Sequence, residues 1–264
     1  MKRKDAPVVK PEPDSTVFRR IRIEPAYKAV SAEIERSILS GALPPGAPLP
    51  TEQEMAERFG VNRSTVREAI RQIEQEGLVQ RLAGRRLFVT LPGLTDFAPR
   101  AIRLLLLQQT TFHELWEVAI ELERLAARLA ARQRCDADID ELAANIAEAE
   151  ALLKKDQAKP EVKQSLIDLD IAFHVAVART SGNRALMLAR EPVSLLYRSA
   201  LAQLHDHLPQ SQSRNLVAHR KILDALRLQD TDEAEQAMRK HMIDFQRGFV
   251  QAHLKMDVPI TLPV

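Results

Sequence analysis

The sequence predicts a mainly α-helical protein of two domains: a small N-terminal domain that ends in a β-hairpin, and a larger bundle of helices. Three observations support this prediction. The length of 264 residues exceeds the usual size of one domain, about 100–200 residues. Glycine, with 8 residues, and aromatic residues, at 4%, are scarce for a sheet-rich protein. Hydrophobic residues recur with a helical period along most of the chain, and a period of two appears only after Gly77.

Three short amphipathic helices are predicted first. One begins at Ala26, and the next begins at Thr51, where Glu54 three residues later makes a capping-box signature. Gly60 then permits a tight turn, and Asn62 caps the third helix. The predicted inward-facing residues are Val30, Ile34, Ile38 and Leu39 in the first helix, Met55, Ala56 and Phe59 in the second, and Val66, Ile70 and Ile73 in the third.

A β-hairpin is predicted after the third helix. The hydrophobic period shifts toward two over 78–82 and again over 86–90, and Ala83-Gly84-Arg85 lies between these segments. Gly84 can adopt the positive φ that suits a hairpin tip. Three helices with a tight turn before the last, followed by a hairpin, form a winged helix-turn-helix, whose third helix enters the major groove of DNA.

From about residue 94 onward the pattern predicts helices without strands, and therefore an all-α bundle of six or seven members. Their approximate spans are 96–108, 111–133, 136–156, 164–181, 184–206, 212–229 and 231–253. We divide the chain into a flexible basic tail over 1–24, the winged helix-turn-helix over 25–92, a linker with a linking helix over 93–110, the helical domain over 111–253 and a C-terminal tail over 254–264.

The positive charge is concentrated in the first domain. Residues 1–92 carry 16 Lys and Arg against 12 Asp and Glu, whereas residues 93–264 carry 22 against 24. A basic excess of this kind favours contact with a polyanion. The single cysteine, Cys135, excludes an internal disulfide and indicates a reducing compartment. Because no apolar run approaches the ~20 residues of a membrane span, we expect a soluble cytoplasmic protein without membrane contact.

The start of the third helix carries the candidate DNA-binding residues. Arg63 and Arg67 are four residues apart, so they share one helical face, and either guanidinium could bind guanine O6 and N7. A solvated charged face is the alternative interpretation of such a pattern. The candidate set is Asn62, Arg63, Ser64, Thr65 and Arg67 on this helix, with Gln53 on the second helix and Gly84, Arg85 and Arg86 at the tip of the wing.

Residues 26–91 closely resemble the GntR family of regulators, on the runs from Ser40 to Glu52, Phe59 to Ala69 and Glu76 to Val79. The resemblance implies that the arginines at 63 and 67 contact operator bases and backbone. Two departures affect the binding site. Many members carry arginine where Gln53 stands, so we expect a contact from this position to DNA phosphate or bases to be weaker or to differ in specificity. The wing commonly has Gly-x-Gly, whereas Gly84 is followed here by two arginines.

Four residues of the helical domain form a candidate metal site. Asp170 and His174 are four residues apart on an otherwise apolar face, His219 lies early in a later helix, and His241 lies in the middle of the last. Helix bundles build metal sites from inward residues of this kind on facing helices. Hydrogen-bonded core residues, with Asp170 paired to the histidine or to an arginine, are the alternative interpretation.

Residues 112–250 resemble the FCD domain of FadR-type members of that family, which carries Asp-x-x-x-His and two later histidines. The resemblance implies that Asp170, His174, His219 and His241 bind a divalent ion, namely Zn, Ni, Mn or Fe, within an effector cavity. Ala119 stands where members usually have arginine, so we consider Arg198 as an alternative contact for an effector carboxylate. Four histidines do not match the pattern and are expected at the surface or its edge: His113, His205, His207 and His253.

The leading hypothesis is a homodimeric repressor that binds double-stranded operator DNA and responds to an organic acid at a metal site, without enzymatic activity. A metal-dependent hydrolase or isomerase with a nucleic-acid-binding appendage is the alternative class. Against it, the sequence has no Gly-x-Ser-x-Gly, glycine-rich phosphate loop or His-Glu-x-x-His motif. A helical protein–protein module whose histidines bind nothing is a third hypothesis.

Overall fold

The computed structural model describes residues 24–82, 86–91, 94–157 and 159–261, with the side chains of 94–97 left out. Within these ranges the chain forms ten helices and one two-stranded antiparallel sheet, which confirms the predicted mainly α-helical fold. The chain divides into two compact units, residues 1–92 and 93–264. Two predicted features lie outside the described residues: the basic tail predicted over 1–24, apart from its last residue, and the wing tip with Gly84 and Arg85.

The first unit follows the predicted order of elements. A small core forms where α1, α3 and the sheet meet, and its central residues Val66, Ile70 and Ile73 are fully buried. Strand β1 pairs with β2 so that Val79 lies opposite Val89. The bounds are Ala26–Leu39 for α1, Glu52–Phe59 for α2, Arg63–Gln75 for α3, Val79–Leu82 for β1 and Arg86–Val89 for β2.

The predicted starts of α2 and α3 are confirmed. Thr51 and Glu54 form a complete capping box at α2, and the side chain of Asn62 accepts a hydrogen bond of 2.8 Å from the Thr65 amide at α3. Gly60 has φ of 66°, a left-handed conformation that glycine adopts at little cost. The tight turn at Gly60 separates α3 from α2, so the first helical turn of α3 lies at the surface.

The predicted inward position of Leu39 is wrong, because its side chain is 73% exposed. Ile38 occupies the buried face of α1, and the next residue is rotated by about 100° away from that face.

The fully buried Ile70 and the exposed Leu39 give a matched test of the core. We expect Ile70→Ala to lower the free energy of unfolding of the first unit by about 2–5 kcal/mol, since it leaves a cavity at a fully buried site. Leu39→Ala should change it by less than about 0.5 kcal/mol. Urea denaturation of both variants measures the difference, and equal effects would contradict the assignment of the core.

The second unit is a bundle of seven helices within the described residues. Helix α5 packs against α7, α8, α9 and α10, so it lies at the centre of the unit. Helix α7 begins four residues earlier than predicted, because Pro160 occupies its first position, where a missing N–H costs nothing. The bounds are Leu94–Leu107 for α4, Phe112–Gln133 for α5, Asp136–Leu153 for α6, Pro160–Thr180 for α7, Arg184–His207 for α8, Ser211–Arg227 for α9 and Thr231–Gln251 for α10.

Among the described residues, no helix combines the length with the apolar character that crossing a bilayer requires.

Candidate functional site

A concave surface on the first unit is rich in arginine. Its charged lining consists of six arginines against three glutamates, so it carries a net positive charge. The side chains of Arg63 and Arg67 are 58% and 52% exposed, which leaves both guanidinium groups accessible. The arginines are Arg58, Arg63, Arg67, Arg71, Arg81 and Arg86, and the glutamates are Glu52, Glu54 and Glu74.

Glu52 organises this arginine surface. Its carboxylate lies 3.1 Å from Arg67, 3.6 Å from Arg81 on β1 and 4.0 Å from Arg63. Because Glu52 is the first residue of α2 and only 18% exposed, it holds side chains of α3 and β1 in one place. The sequence prediction missed Glu52, Arg58, Arg71 and Arg81, since a surface built from two helices and two strands has no local pattern.

The shorter predicted DNA-binding residues have local partners. Asn62 Oδ1 accepts hydrogen bonds from the Ser64 hydroxyl at 2.6 Å and the Thr65 hydroxyl at 2.9 Å, so its main role is the helix cap. Gln53 lines the arginine surface and donates a hydrogen bond of 2.7 Å to Glu57. The structure thus brings Gln53, Arg63, Arg67 and Arg86 to one surface.

The second unit contains a buried polar cluster at the predicted positions. Asp170 and His174 from α7, His219 from α9 and His241 from α10 place one donor atom each within 4.8 Å of all the others. The Nε2 atoms of His174 and His241 are 3.1 Å apart, and His219 Nε2 lies 3.6 Å from Asp170 Oδ1. All three imidazoles are buried. The helical spacing of four residues in α7 is what puts its carboxylate and imidazole on the same side.

A buried carboxylate supports this cluster. Glu123 on α5 accepts a hydrogen bond of 2.8 Å from His174 Nδ1 and another of 2.5 Å from Arg190 Nε on α8. Burial opposes ionisation, but the Arg190 and His174 charges outweigh it and lower the pKa of Glu123 to about 2. The sequence prediction missed both Glu123 and Arg190. The sequence signal that could have identified Glu123 was a single acidic residue on the alanine-rich inner face of α5.

A cavity of about 50 Å³ adjoins the cluster. Asp170, His174 and His241 line it together with Glu123 and Arg190, and the other lining residues are mostly apolar. Cavities of this kind, apolar with a few convergent polar groups, are typical of small-molecule sites.

Comparison with known proteins assigns a domain family to each unit. The model of bacterial regulatory proteins of the gntR family matches residues 26–89, and the FCD domain model matches residues 114–244. The Glc operon transcriptional activator of Escherichia coli K12 is 31% identical over 225 residues, which are 83% of this chain and 86% of the relative. The chain belongs to the GntR family.

Further relatives support this membership. The galactonate operon transcriptional repressor of Escherichia coli K12 is 26% identical over 76% of this chain and 87% of its own length. A solved structure, Streptococcus agalactiae GntR, superposes with a TM-score of 0.60 at 25% identity, over 84% of this chain and 99% of that one. As a GntR-family member with an FCD domain, the protein is a DNA-binding transcription regulator.

In this GntR-family chain, the arginine that lines the cavity is not the predicted one. Arg198 does not line the cavity; its side chain is 43% exposed and pairs with Asp168 on the surface. Arg190, two helical turns earlier on α8, is only 5% exposed and lines the cavity beside Ala119.

Electrostatics divides the imidazoles of the cluster into two kinds. Burial disfavours a charged His174, but the Glu123 and Asp170 carboxylates outweigh burial and raise the pKa of His174. Burial and the neighbouring imidazoles lower the pKa of His219 well below its ordinary value. Burial, with His174, lowers the pKa of His241 to about 3. Asp170 has its pKa raised by burial. His219, His241 and Asp170 therefore favour their neutral forms. A bound cation would favour the ionised form of the Asp170 carboxylate.

Of the histidines expected at the surface, His113, His207 and His253 are exposed, which confirms the prediction for them. The prediction for His205 is wrong, because its side chain is 5% exposed. It lies near the end of α8, where Gln212 on α9 donates a hydrogen bond of 3.1 Å to its Nδ1. Helix α8 is covered on several sides, so position in the sequence alone does not show which side faces solvent.

The buried His205 predicts a pH effect on stability. Burial, with a contribution from Lys163, lowers its pKa to about 4, whereas an unfolded histidine has a pKa of about 6.5. Between these values the unfolded chain binds a proton that the folded chain excludes, so stability falls as the pH drops through this window. Between pH 7 and pH 5, we expect the free energy of unfolding of His205→Leu to fall by about 2 kcal/mol less than that of the wild type. Urea denaturation at both pH values measures the two changes. The matched control is His207→Leu, at an exposed neighbouring position, and a wild-type pH dependence in His205→Leu would contradict the assignment.

Proposed function

We propose that this protein is a ligand-responsive repressor that binds a palindromic operator as a homodimer and senses a small carboxylate at a divalent metal site. The observation that carries the sensing part is the convergence of four donor atoms from three helices, all within 4.8 Å of one another, with three of the four residues lining a cavity. Such convergence is costly in a core unless the groups share a partner.

The donor set fits a metal ion. Two ligands at about 2.0–2.2 Å from one ion can lie at most about 4.4 Å apart, so donor atoms within 4.8 Å of one another must move closer together to share an ion. His219 Nε2 has no hydrogen-bond partner within the described chain, although it is fully buried. Three imidazole nitrogens and one carboxylate oxygen suit Zn, Ni, Mn or Fe.

Glu123 prepares His174 for this role. By accepting a hydrogen bond from Nδ1–H, the carboxylate favours the tautomer in which Nε2 carries the lone pair toward the cluster. Such carboxylate–histidine pairs orient a metal ligand and raise its basicity. When bound, the ion supplies a Lewis-acid centre that attracts an oxygen of the effector. The apolar residues of the cavity exclude water and strengthen these interactions.

On the DNA side, we assign base contacts to Arg63 and Arg67 and backbone contacts to Gln53, Ser64, Thr65 and Arg86, with Asn62 as the cap. The wing residues Gly84 and Arg85 complete the proposed interface. A two-fold dimer places two α3 helices in successive major grooves, which is why a palindrome is expected. Effector binding would change operator affinity by favouring one arrangement of the two copies.

The names of the relatives support an acid as effector, since one of them controls a galactonate operon. Named relatives include both activators and repressors. Repression is therefore tested directly: deleting the coding gene should raise expression from a reporter fused to the regulated promoter, and a fall in expression would contradict it.

One experiment tests the proposed function as a whole. The full chain is purified without chelator, its metal content is measured, and its affinity for duplexes from its own promoter region is compared with that for random duplexes. We expect about one divalent ion per chain, preferential binding of a palindromic duplex, and a thermal shift with small acids that requires the metal. Absence of metal, or equal weak affinity for every duplex, would overturn the proposal.

A further inference from the structure

The four residues of the buried cluster are covered by the bundle. His174, His219 and His241 are 7%, 4% and 5% exposed, and the side chain of Asp170 is 11% exposed. In a close-packed bundle, an ion reaches such a site only where neighbouring side chains move apart. The proposed metal site therefore requires an entry route through the surrounding helices.

An open groove between α9 and α10 leads toward the cluster. Its volume is about 970 Å³, and His241 is the cluster residue that lines it. Arg214 and Ala218 line it from α9, and Asp244 lines it from α10. His241 therefore lies between this groove and the rest of the cluster.

A small cavity lies behind this part of the groove. Its volume is about 20 Å³, which is enough for one water-sized group. Asn215 also lines it, and this side chain donates a hydrogen bond of 3.1 Å to Asp170 of the cluster. The cavity thus adjoins the groove on one side and the cluster on the other. Four residues line both the groove and the cavity: Arg214, Ala218, His241 and Asp244.

The cavity contains a polar group that the fold leaves unused. Ser211 lines it and is 5% exposed, and its buried hydroxyl has no hydrogen-bond partner among the described residues. Leu204, Leu208 and Phe245 form the apolar part of the wall. An unpaired hydroxyl in such surroundings is unfavourable, so this position suits a polar or charged species that passes through the cavity. The Asp244 carboxylate at the mouth adds a second oxygen of the kind that divalent ions bind.

An ion pair spans the mouth of the cavity. Arg214 Nη2 lies 3.8 Å from Asp244 Oδ1, so the pair joins α9 to α10 where the groove and the cavity meet. The two side chains are 48% and 46% exposed, and a pair of this exposure is weak. Asp244 also pairs with Arg247 at 3.4 Å, so its carboxylate keeps a partner when Arg214 moves away. The contact can therefore break without leaving an unpaired carboxylate.

We propose that the Arg214–Asp244 pair is a gate on the route by which the divalent ion enters and leaves the buried cluster, between α9 and α10. This inference rests on the proposed metal site and adds the route and its control. The gate sets how fast the site fills and empties. It leaves the equilibrium affinity unchanged, because uptake and release use the same opening.

The test measures the rates of Zn²⁺ uptake and release by the full chain. Stopped-flow mixing with Zn²⁺ and a chromogenic indicator gives the uptake rate, and mixing the loaded chain with excess chelator gives the release rate. Equilibrium competition with the same chelator gives Kd. We expect Arg214→Gln to raise both rates by about 2- to 5-fold, the range that the loss of a half-exposed ion pair allows. Its Kd should stay within about 2-fold of the wild type, because the open and closed forms hold the same ligands.

Ala218→Leu should have the opposite effect. Ala218 lines both the groove and the cavity, so a larger side chain there narrows their connection. We expect both rates to fall by about 5-fold or more, because the added atoms must be displaced at each opening.

Arg220→Gln is the matched control. Arg220 lies on the same helix, is 49% exposed and pairs with Glu150 on α6, outside the lining of the groove and the cavity. Its removal therefore deletes an ion pair between helices without opening the proposed route. Uptake and release should keep their wild-type rates in this variant.

Wild-type rates in both Arg214→Gln and Ala218→Leu would overturn the inference, since the ion would then use another part of the bundle. A change in Kd that comes from the release rate alone would also overturn it, because these residues would then shape the site and not the route. Either result would leave metal binding itself intact. Failure of the wild type to take up Zn²⁺ would instead refute the proposed metal site.

Discussion

Replacing Arg67 by alanine is expected to lower operator affinity by about 10- to 100-fold, because a bidentate arginine–guanine contact contributes about 1–3 kcal/mol. The side chain is 52% exposed, and its ion pair with Glu52 lies at the surface, so folding should change little. Fluorescence anisotropy with a labelled operator duplex, at one fixed salt concentration, measures the loss. Affinity for a random duplex should fall far less than affinity for the operator.

Arg36→Ala is the matched control for this variant. Arg36 lies on α1, is 71% exposed and pairs with Glu33, so its removal also deletes one exposed ion pair from the same unit. Its operator affinity should stay within about 2-fold of the wild type, since it is outside the arginine surface. Arg67→Ala should also retain its metal and its thermal shift with acids. Equal losses for operator and random duplexes in Arg67→Ala would show that Arg67 contacts phosphate and does not read a base.

Local signals allowed the first unit to be predicted closely from sequence. The Thr51 capping box and the Asn62 cap satisfy backbone donors within three residues, so the information that places these helix starts is contained in a few neighbouring letters. The fully buried Val66, Ile70 and Ile73 follow a helical period that is equally local. Leu39 could not be placed in this way, because the end of a helix depends on what covers it.

Pairing between distant helices could not be predicted. Glu123 and Arg190 are 67 residues apart, and His174 is 51 residues from the same carboxylate. Each of these residues by itself resembles an ordinary charged position on a helix, and only the packing of α5 against α7 and α8 shows that they are partners. The buried His205 has the same explanation, since its surroundings come from α8 and α9 together.

The two predicted sites differ in what a single substitution can do. On the arginine surface, several exposed cations share one carboxylate, so each loss is partial. In the proposed metal site, each of the four donors is needed for one coordination sphere, and the groups left after a substitution remain buried. A substitution in the cluster should therefore have the larger effect on binding.

Replacing His219 by alanine is accordingly expected to lower metal affinity by about 100-fold or more. A four-ligand zinc site contributes about 10–16 kcal/mol, of which one ligand accounts for roughly a quarter. His219 is 4% exposed, and its Nε2 has no hydrogen-bond partner among the described residues, so no competing hydrogen bond offsets the loss. Competition with a chromogenic chelator measures the affinity. The thermal shift with acids should disappear together with the metal.

Removing His219 also removes its stacking on Phe173, where the ring centroids are 3.9 Å apart, so some loss of stability is expected whether or not a metal binds. His241→Ala separates the two effects, because His241 does not stack on Phe173 but belongs to the same cluster. Both variants should lose the metal and the response of operator binding to acids while keeping operator affinity in the absence of effector. The exposed His207→Ala should keep all three properties. Retention of wild-type metal affinity in both His219→Ala and His241→Ala would show that these imidazoles are hydrogen-bonded core residues, and the sensing mechanism would then have to be abandoned while DNA binding through α3 remained.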